Sequence, residues 1–279
     1  MAAASTRRLS RRLTLIGATA AAGETFAIAL GLAAPAQRAN ATIKTSDAEC
    51  SLSDEQRIKA VSRVFETGSS RPAYDYVEDL GDGRGYTVSH YGFCSGTGDL
   101  LLVLKAYSSA RPGNSLERYI EEIAELSAAG SGNVERLDGF AAAWRSESSE
   151  PRLQAACEGV ADQLYFEPAL DICRREALVL PIARLIIFDT ILQHGNGDDA
   201  DSVGALLGAM PPHDDESTFL LGLLKRRKQV LLHANDPATR ETWAESASRV
   251  DALAILVLSN PLLNSPLHVV SSDFDDVIC

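Results

Sequence analysis

The sequence predicts a mainly α-helical (α+β) fold with one small β element, and three observations support this. Apolar residues recur at helical spacing in most segments beyond residue 52. Three glycines, Gly81, Gly83 and Gly85, mark a tight turn, and the alternation from Tyr86 to Tyr91 is typical of a short strand or hairpin. No internal repeat or low-complexity linker divides the chain, so we expect two lobes that share a core.

The first helix is the best defined of the predicted elements. Ser53 and Gln56 have the spacing of a capping box, and Gly68 is suited to end the helix. Glu66 therefore lies in the last turn, where the negative end of the helix dipole disfavours a carboxylate and tends to raise its pKa. Further helices are expected over 98–106, 115–129, 151–165, 168–193, 216–234 and 240–258, followed by an extended C-terminal tail.

The N-terminal 41 residues have the layout of a secretory signal peptide. Arginines precede an apolar stretch from Leu13 to Ala36, and the small residues of Ala39–Ala41 would suit a signal peptidase. The segment Ser10–Leu15 also resembles a twin-arginine export signal. A membrane anchor is the weaker alternative because Glu24 interrupts the apolar stretch. We expect residues 42–279 to form a secreted, extracellular domain of two lobes.

The predicted mature chain is strongly acidic. Removing residues 1–41 takes away five Arg and one Glu, which leaves 21 basic and 37 acidic residues and a net charge of −16. A field of this sign repels nucleic acid and anionic lipid and favours a cationic partner. The simpler alternative is that the charge serves solubility alone.

The chain has five cysteines, all after residue 41. An odd number leaves at least one free thiol or an intermolecular bond in an exported protein. Cys94 lies among glycines and apolar residues, and we expect it to be a buried free thiol. Disulfide pairing among the other four, Cys50, Cys157, Cys173 and Cys279, stays open. A bond between Cys157 and Cys173 would close the shortest loop.

Two carboxylates are candidates for catalysis. Glycoside hydrolysis needs one protonated and one ionised carboxyl group, and Glu66 with Asp82 offers such a pair. The glycines beside Asp82 remove side chains, so that a substrate and a water molecule could approach. Alternatively, Asp82 bonds its own turn and Glu66 is a solvated helix-end residue. Arg84 would keep Asp82 ionised, or else it pairs with Asp79 or Glu78.

The segments 76–87 and 92–99 closely resemble the signature block of glycoside hydrolase family 46 chitosanases. Shorter matches follow in order at 165–169, 188–195, 222–228, 248–251 and 260–267. The resemblance implies a lysozyme-like two-lobed fold and an inverting endo-hydrolysis of β-1,4 linkages between glucosamine units of chitosan. It implies a monomer that needs no cofactor. The sequence likewise contains no metal-ligand spacing, P-loop or dinucleotide fingerprint.

The resemblance also assigns roles to residues. It implies Glu66 as general acid, Asp82 as general base and Thr87 as the residue that holds the attacking water. Residues expected to contact sugar are Tyr76, Arg84, Asp99 and His194, and a buried charge network behind the acid is expected from Asp189, Arg227 and Arg249. Asp99 could instead cap the helix that follows it, and His194 could interact with a helix dipole. Asp189 could simply tie three helices together.

The chain departs from the family pattern in two places. The loop from Thr67 to Ala73 is two residues shorter than expected, and Ala234 stands where the family carries an acidic residue that contacts substrate. That subsite could be rebuilt by Asp214, Asp215 or Asp236. Two alternative functions are a lysozyme-like hydrolase of another aminosugar polymer and an inactive secreted polysaccharide-binding protein. The acidic net charge argues against the first where the polymer is an anionic cell wall.

Overall fold

The computed structural model describes residues 52–197, 199–212, 215–234 and 240–278. The predicted signal peptide, residues 1–41, lies outside the described residues. So do four residues on which other predictions fell: Cys50, Asp214, Asp236 and Cys279.

Helix α1 spans Asp54–Thr67, as the capping box predicts. Ser53 accepts from the Gln56 N–H, and the Gln56 side chain accepts in return from the Ser53 N–H. Gly68 ends the helix with φ 71°, a left-handed conformation that suits glycine. Glu66 therefore lies in the last turn, on the buried side of the helix.

The glycine-rich segment forms part of a three-stranded antiparallel sheet. Its strands are β1 (Val77–Asp79), β2 (Tyr86–Val88) and β3 (Phe93–Cys94), in the order β1-β2-β3. Thr87 pairs with both Glu78 and Cys94 across the sheet. The turn between β1 and β2 carries Asp82, so the sheet sets the position of this carboxylate.

Four helices pack with this sheet into one group of elements. Helix α2 packs on α3 and α5, and α4 contacts β1. Their bounds are α2 Asp99–Ala110, α3 Ile120–Ala129 after a 3₁₀ turn at Glu117–Tyr119, α4 Phe140–Glu147 and α5 Pro151–Ala161.

The second group surrounds a central buried helix. Its elements are a π turn at Asp162–Phe166, α6 Glu167–Arg175, α7 Pro181–His194, α8 Val203–Gly208, α9 Glu216–Leu232, α10 Arg240–Glu245, α11 Ala247–Ser259 and the hairpin of β4 Leu267–Val270 with β5 Asp275–Ile278. Helix α7 is buried at every residue from Leu185 to His194 and contacts α1, α6 and α11.

Three helix predictions were wrong in extent. The helix predicted over 168–193 is two helices, because Pro181 cannot donate within a helix and Ala177 has φ 55°. The helix predicted over 240–258 is interrupted at Ser246, between α10 and α11. The α-helix predicted over 151–165 ends at Ala161 and continues as the π turn. The extended C-terminal tail is a paired hairpin.

None of the helices in the described ranges combines the length and apolar character needed to cross a membrane.

Candidate active site

Glu66 lies in the last, C-terminal turn of α1, and it is only 2% exposed. Its Oε1 accepts from Arg249 Nη2 at 2.6 Å. Its Oε2 is buried and has no hydrogen-bond partner within the described residues. Burial raises the pKa of Glu66, and the opposing charge of Arg249 does not cancel this effect. The site therefore favours the protonated acid.

Asp189 anchors the other side of Arg249. The same Nη2 atom donates to Asp189 Oδ1 at 2.7 Å, and Arg227 Nη2 lies 2.8 Å from Asp189 Oδ2. Ser62 lies one turn before Glu66 on α1, and its hydroxyl donates to Asp189 Oδ1 at 3.4 Å. Burial acts to raise the pKa of Asp189, but the two guanidinium groups outweigh it and the pKa is lowered. Asp189 is thus held as a buried anion.

Arg227 and Arg249 are secured by further contacts. Arg227 donates to the Thr190 hydroxyl at 3.3 Å and also to the Gln193 side chain. Burial lowers the pKa of Arg227 to about 10. The Arg249 guanidinium lies 5.3 Å from the centre of the Phe65 ring, within cation–π range. The predicted chain of charges thus runs continuously from Glu66 to Arg227, and it ties α1, α7, α9 and α11 together as well.

Asp82 occupies a different environment in the turn between β1 and β2. Its Oδ1 accepts from the Arg84 backbone N–H at 3.0 Å, and its Oδ2 accepts from Arg84 Nε at 3.0 Å and Nη2 at 2.6 Å. Its side chain is 14% exposed. Asp82 therefore bonds its own turn, as the alternative interpretation predicts, and it also forms an ion pair with Arg84. The alternative partners of Arg84 have other donors: Glu78 accepts from Tyr76, and Asp79 from the Gly81 N–H.

The glycines around Asp82 divide into two kinds. Gly81 and Gly83 flank it with φ 68° and 85°, and a Cβ at either would meet nothing within 4 Å. Open space therefore lies beside both glycines, and their positive φ, not a close approach, is what favours glycine at these positions. A Cβ on Gly85 would lie 2.2 Å from Ser95 Oγ, and one on Gly132 only 2.1 Å from the Gly83 carbonyl oxygen. These two glycines allow the turn to pack on the following chain.

Two further predicted site residues, Thr87 and Asp99, form contacts that also stabilise the fold. Thr87 is fully buried, and its hydroxyl lies 3.4 Å from Cys94 Sγ. Asp99 is the first residue of α2, and its Oδ1 accepts from the Cys94 and Leu100 backbone N–H groups and from the Thr97 hydroxyl. The cap of α2 is Gly98, which forms no side-chain cap bond, so the alternative that Asp99 caps this helix is wrong, and Asp99 lies inside the first turn. Burial nevertheless raises the pKa of Asp99 despite these bonds.

His194 ends α7 beside the charge chain. Its ring meets Trp243 edge-on at 5.1 Å, and Nδ1 lies 3.0 Å from the Asp201 carbonyl oxygen. Burial, reinforced by Arg227, holds the pKa of His194 well below its ordinary range. A neutral imidazole cannot serve as a charged partner of the helix dipole, so this alternative loses its physical basis. Nε2 is buried and has no partner in the described chain.

The structure thus sorts the predicted residues into two sets. One set comprises Glu66 with the chain of Arg249, Asp189 and Arg227, and His194 at the end of the helix that carries Asp189. The other comprises Asp82 with Arg84, and Tyr76, Thr87 and Asp99, which lie in or beside the three-stranded sheet. Sequence reasoning missed a third cluster, centred on Glu158, that lies between the elements carrying these sets. Lys59, seven residues before Glu66 and so on the same helix face, was the available signal.

The predictions for the cysteines, and for the positions where the chain differs from the family pattern, have mixed outcomes. Cys94 is a buried free thiol, as predicted, and burial raises its pKa to about 12. Cys157 and Cys173 are also free, so the shortest predicted loop is not closed. Ala234 is buried, and its carbonyl accepts from Arg240 Nε at 3.1 Å. Asp215 caps α9 by accepting from the Thr218 N–H at 2.7 Å.

Acid–base glycoside hydrolases use two carboxyl groups in unlike environments, one of them with a raised pKa, and Glu66 and Asp82 offer two such environments. The chain belongs to glycosyl hydrolase family 46, whose model matches residues 60–267. The sequence resemblance and the expected enzyme class are therefore confirmed.

Among characterised relatives, the chain is 37% identical to a chitosanase of Bacillus subtilis (strain 168), over 80% of this chain and 84% of that one. The native chitosanase structure from Bacillus subtilis MY002 superimposes with a TM-score of 0.75 at 37% identity, covering 81% of this chain and 98% of that one. A family 46 chitosanase from Gynuella sunshinyii in complex with chitotetraose has a TM-score of 0.73 at 33% identity, and the match covers 82% of this chain and 99% of that one. These neighbours confirm the lysozyme-like fold class.

Proposed function

We propose that this protein is a secreted endo-chitosanase that cleaves β-1,4 linkages between glucosamine units with inversion at the anomeric carbon. The observation that carries the proposal is the contrast between two carboxylates: buried Glu66 favours its protonated form, and Asp82 is held by the Arg84 guanidinium. An inverting enzyme needs this division of labour. The relatives are named chitosanases, which supports the substrate class.

Glu66 is proposed as the general acid. Its unpartnered Oε2 is the atom suited to carry the proton to the leaving oxygen, because Oε1 is already engaged by Arg249. Once Glu66 has given up its proton, Arg249 stabilises the carboxylate that remains. Asp189 and Arg227 hold Arg249 in place, so they are positioning residues rather than groups that touch the substrate.

Asp82 is proposed as the general base that activates water on the opposite face of the sugar ring. The open space beside Gly81 and Gly83 leaves room for that water. An inverting pair is expected to lie about 6.5–9.5 Å apart for this reason. Thr87 is proposed to help hold the water, since a thiol is only a weak partner for its hydroxyl.

The substrate is proposed to be the polycation chitosan. A net charge of −16 over residues 42–279 would attract it, and Tyr76, Asp99 and His194 remain the proposed sugar contacts. Export through a signal peptide at residues 1–41 and action as a monomer belong to the same proposal. Neither nucleic acid nor a membrane is a proposed partner.

The test is to incubate the chain from Thr42 with soluble chitosan and follow new reducing ends by proton NMR. We expect the α-anomer to appear first, followed by mutarotation. Early β-anomer would contradict inversion, while the absence of any cleavage would contradict the activity itself. Chitin and peptidoglycan serve as parallel substrates, and faster cleavage of either would favour the alternative lysozyme-like hydrolase.

A further inference from the structure

Glu158 on α5 is the centre of a polar cluster outside the proposed active site. Its Oε1 accepts from the Tyr74 hydroxyl at 2.7 Å, and its Oε2 accepts from the Tyr91 hydroxyl at 2.8 Å. Lys59 Nζ also reaches Oε2, at 3.3 Å. The three donors come from three different segments of the chain, so one carboxylate joins elements that are far apart in sequence.

Two of those segments hold the sheet that presents Asp82. Tyr74 precedes β1, and Tyr91 lies in the turn between β2 and β3. His90 packs between them, with its ring 5.1 Å from Tyr74 and 4.2 Å from Tyr91. Its Nδ1 accepts from the Ala73 N–H at 3.3 Å. Burial keeps the pKa of His90 well below its ordinary range, so its ring is a neutral packing element.

The third segment is α1, the helix that carries Glu66. Lys59 and Glu66 are two helical turns apart on one face, about 10 Å along the axis. Lys59 is only 5% exposed, and it also contacts Glu55 at 2.9 Å and Asp162 in the π turn. A buried ammonium surrounded by carboxylates holds its helix firmly, because any shift would leave a charge unpaired in the interior.

We propose that Glu158 is a positioning residue that fixes the acid-bearing helix α1 against the base-bearing sheet. Helix α5 provides the rigid support, and the π turn that follows it supplies Asp162 as a second tie to Lys59. Local π geometry often occurs at functional sites in helical proteins. The inference rests on the proposed roles of Glu66 and Asp82, and it adds a residue that touches neither of them.

A matched control exists in the same group of helices. Glu147 at the end of α4 accepts from the Tyr107 hydroxyl at 2.6 Å, from the Ser115 hydroxyl at 2.8 Å and from Arg111. It resembles Glu158 in chemistry, but these three partners lie in α2 or within five residues of its end. Glu147→Gln therefore reports the loss of a tyrosine–carboxylate cluster that does not reach α1.

The experiment measures kcat, KM and Tm on soluble chitosan for the wild type, Glu158→Gln and Glu147→Gln, well below each Tm. Because misplacing a reacting group by about 1 Å can cost about 100-fold, we expect Glu158→Gln to lower kcat by about ten- to hundredfold with KM nearly unchanged. Both variants should have a lower Tm than the wild type, but Glu147→Gln should keep a near-wild-type kcat. Equal kcat in the two variants would overturn the positioning role.

Two further measurements keep the inference testable. If Glu158→Gln does not fold, Tyr91→Phe and Tyr74→Phe each remove one hydroxyl at nearly constant volume, and each should lower kcat by a smaller factor. Unchanged kcat in both would count against the proposal. No cleavage by the wild type would refute the proposed function itself, whereas an active wild type with a fully active Glu158→Gln would refute the positioning role alone.

Discussion

Glu66 and Asp82 carry the same functional group in two unlike environments. Glu66 is 2% exposed, and one of its oxygens has no hydrogen-bond partner among the described residues. The Asp82 side chain is 14% exposed, and Arg84 binds both of its oxygens. Desolvation penalises the charge on Glu66 and raises its pKa, whereas Asp82 forms a two-pronged ion pair with the Arg84 guanidinium. The difference teaches that the packing around each carboxylate, and not the functional group itself, sets its environment: one lies at a buried helix end and the other in a glycine-rich turn.

The largest expected effect comes from removing each carboxylate in turn. Glu66→Gln and Asp82→Asn should each lower kcat by about 10²–10⁴-fold, because each removes one partner of the acid–base pair. Reducing-end assays at saturating chitosan measure the loss. Binding of a glucosamine oligomer to Glu66→Gln, followed by calorimetry, should stay near the wild type. Near-wild-type turnover by either variant would remove that residue from its role.

Replacing the arginine partner of each carboxylate should lower the free energy of unfolding by different amounts in the two environments. Arg249→Met leaves Glu66 and Asp189 buried without their shared cation, and we expect a loss of about 3–5 kcal/mol. Arg84→Met should cost less in unfolding free energy, about 1 kcal/mol, because water can reach Asp82, while kcat still falls. Urea unfolding with matched kinetics measures both. A larger stability loss for Arg84→Met would reverse the comparison.

The smallest expected effect is a pH dependence of stability that is specific to Glu66. Its pKa is raised above the ordinary 4.5, so the native state binds the proton more tightly than the unfolded state. The stability from the protonated acid is therefore complete below about pH 4.5 and is lost as pH rises through the native pKa.

Glu66→Gln mimics the neutral acid, so it should match the wild type at pH 4 and become more stable than it at higher pH. Within the titration window the gap should grow by at most about 1.4 kcal/mol per pH unit. Asp82→Asn is the control in which no such gain is expected. Thermal unfolding from pH 4 to 8 checks this, and a gap independent of pH would contradict the raised pKa of Glu66.

Local chemistry made part of the molecule predictable. The capping box and Gly68 define α1, so the sequence places Glu66 in its last turn. The glycines around Asp82 define the turn between β1 and β2. Helix breaks were harder to predict, because the apolar pattern continues through Ala177, and only Pro181 signals a new helix.

The sequence by itself determined the family, the two carboxylates and the local elements that hold them, since capping, turn geometry and hydrophobic spacing act over a few residues. Tertiary structure decided how deeply Glu66 is buried, which raises its pKa, and which distant residues contact α1. Arg249 lies 183 residues from Glu66, and Glu158 lies 99 residues from Lys59. Desolvation and ion pairing depend on such distant neighbours, and only the packed chain brings them together.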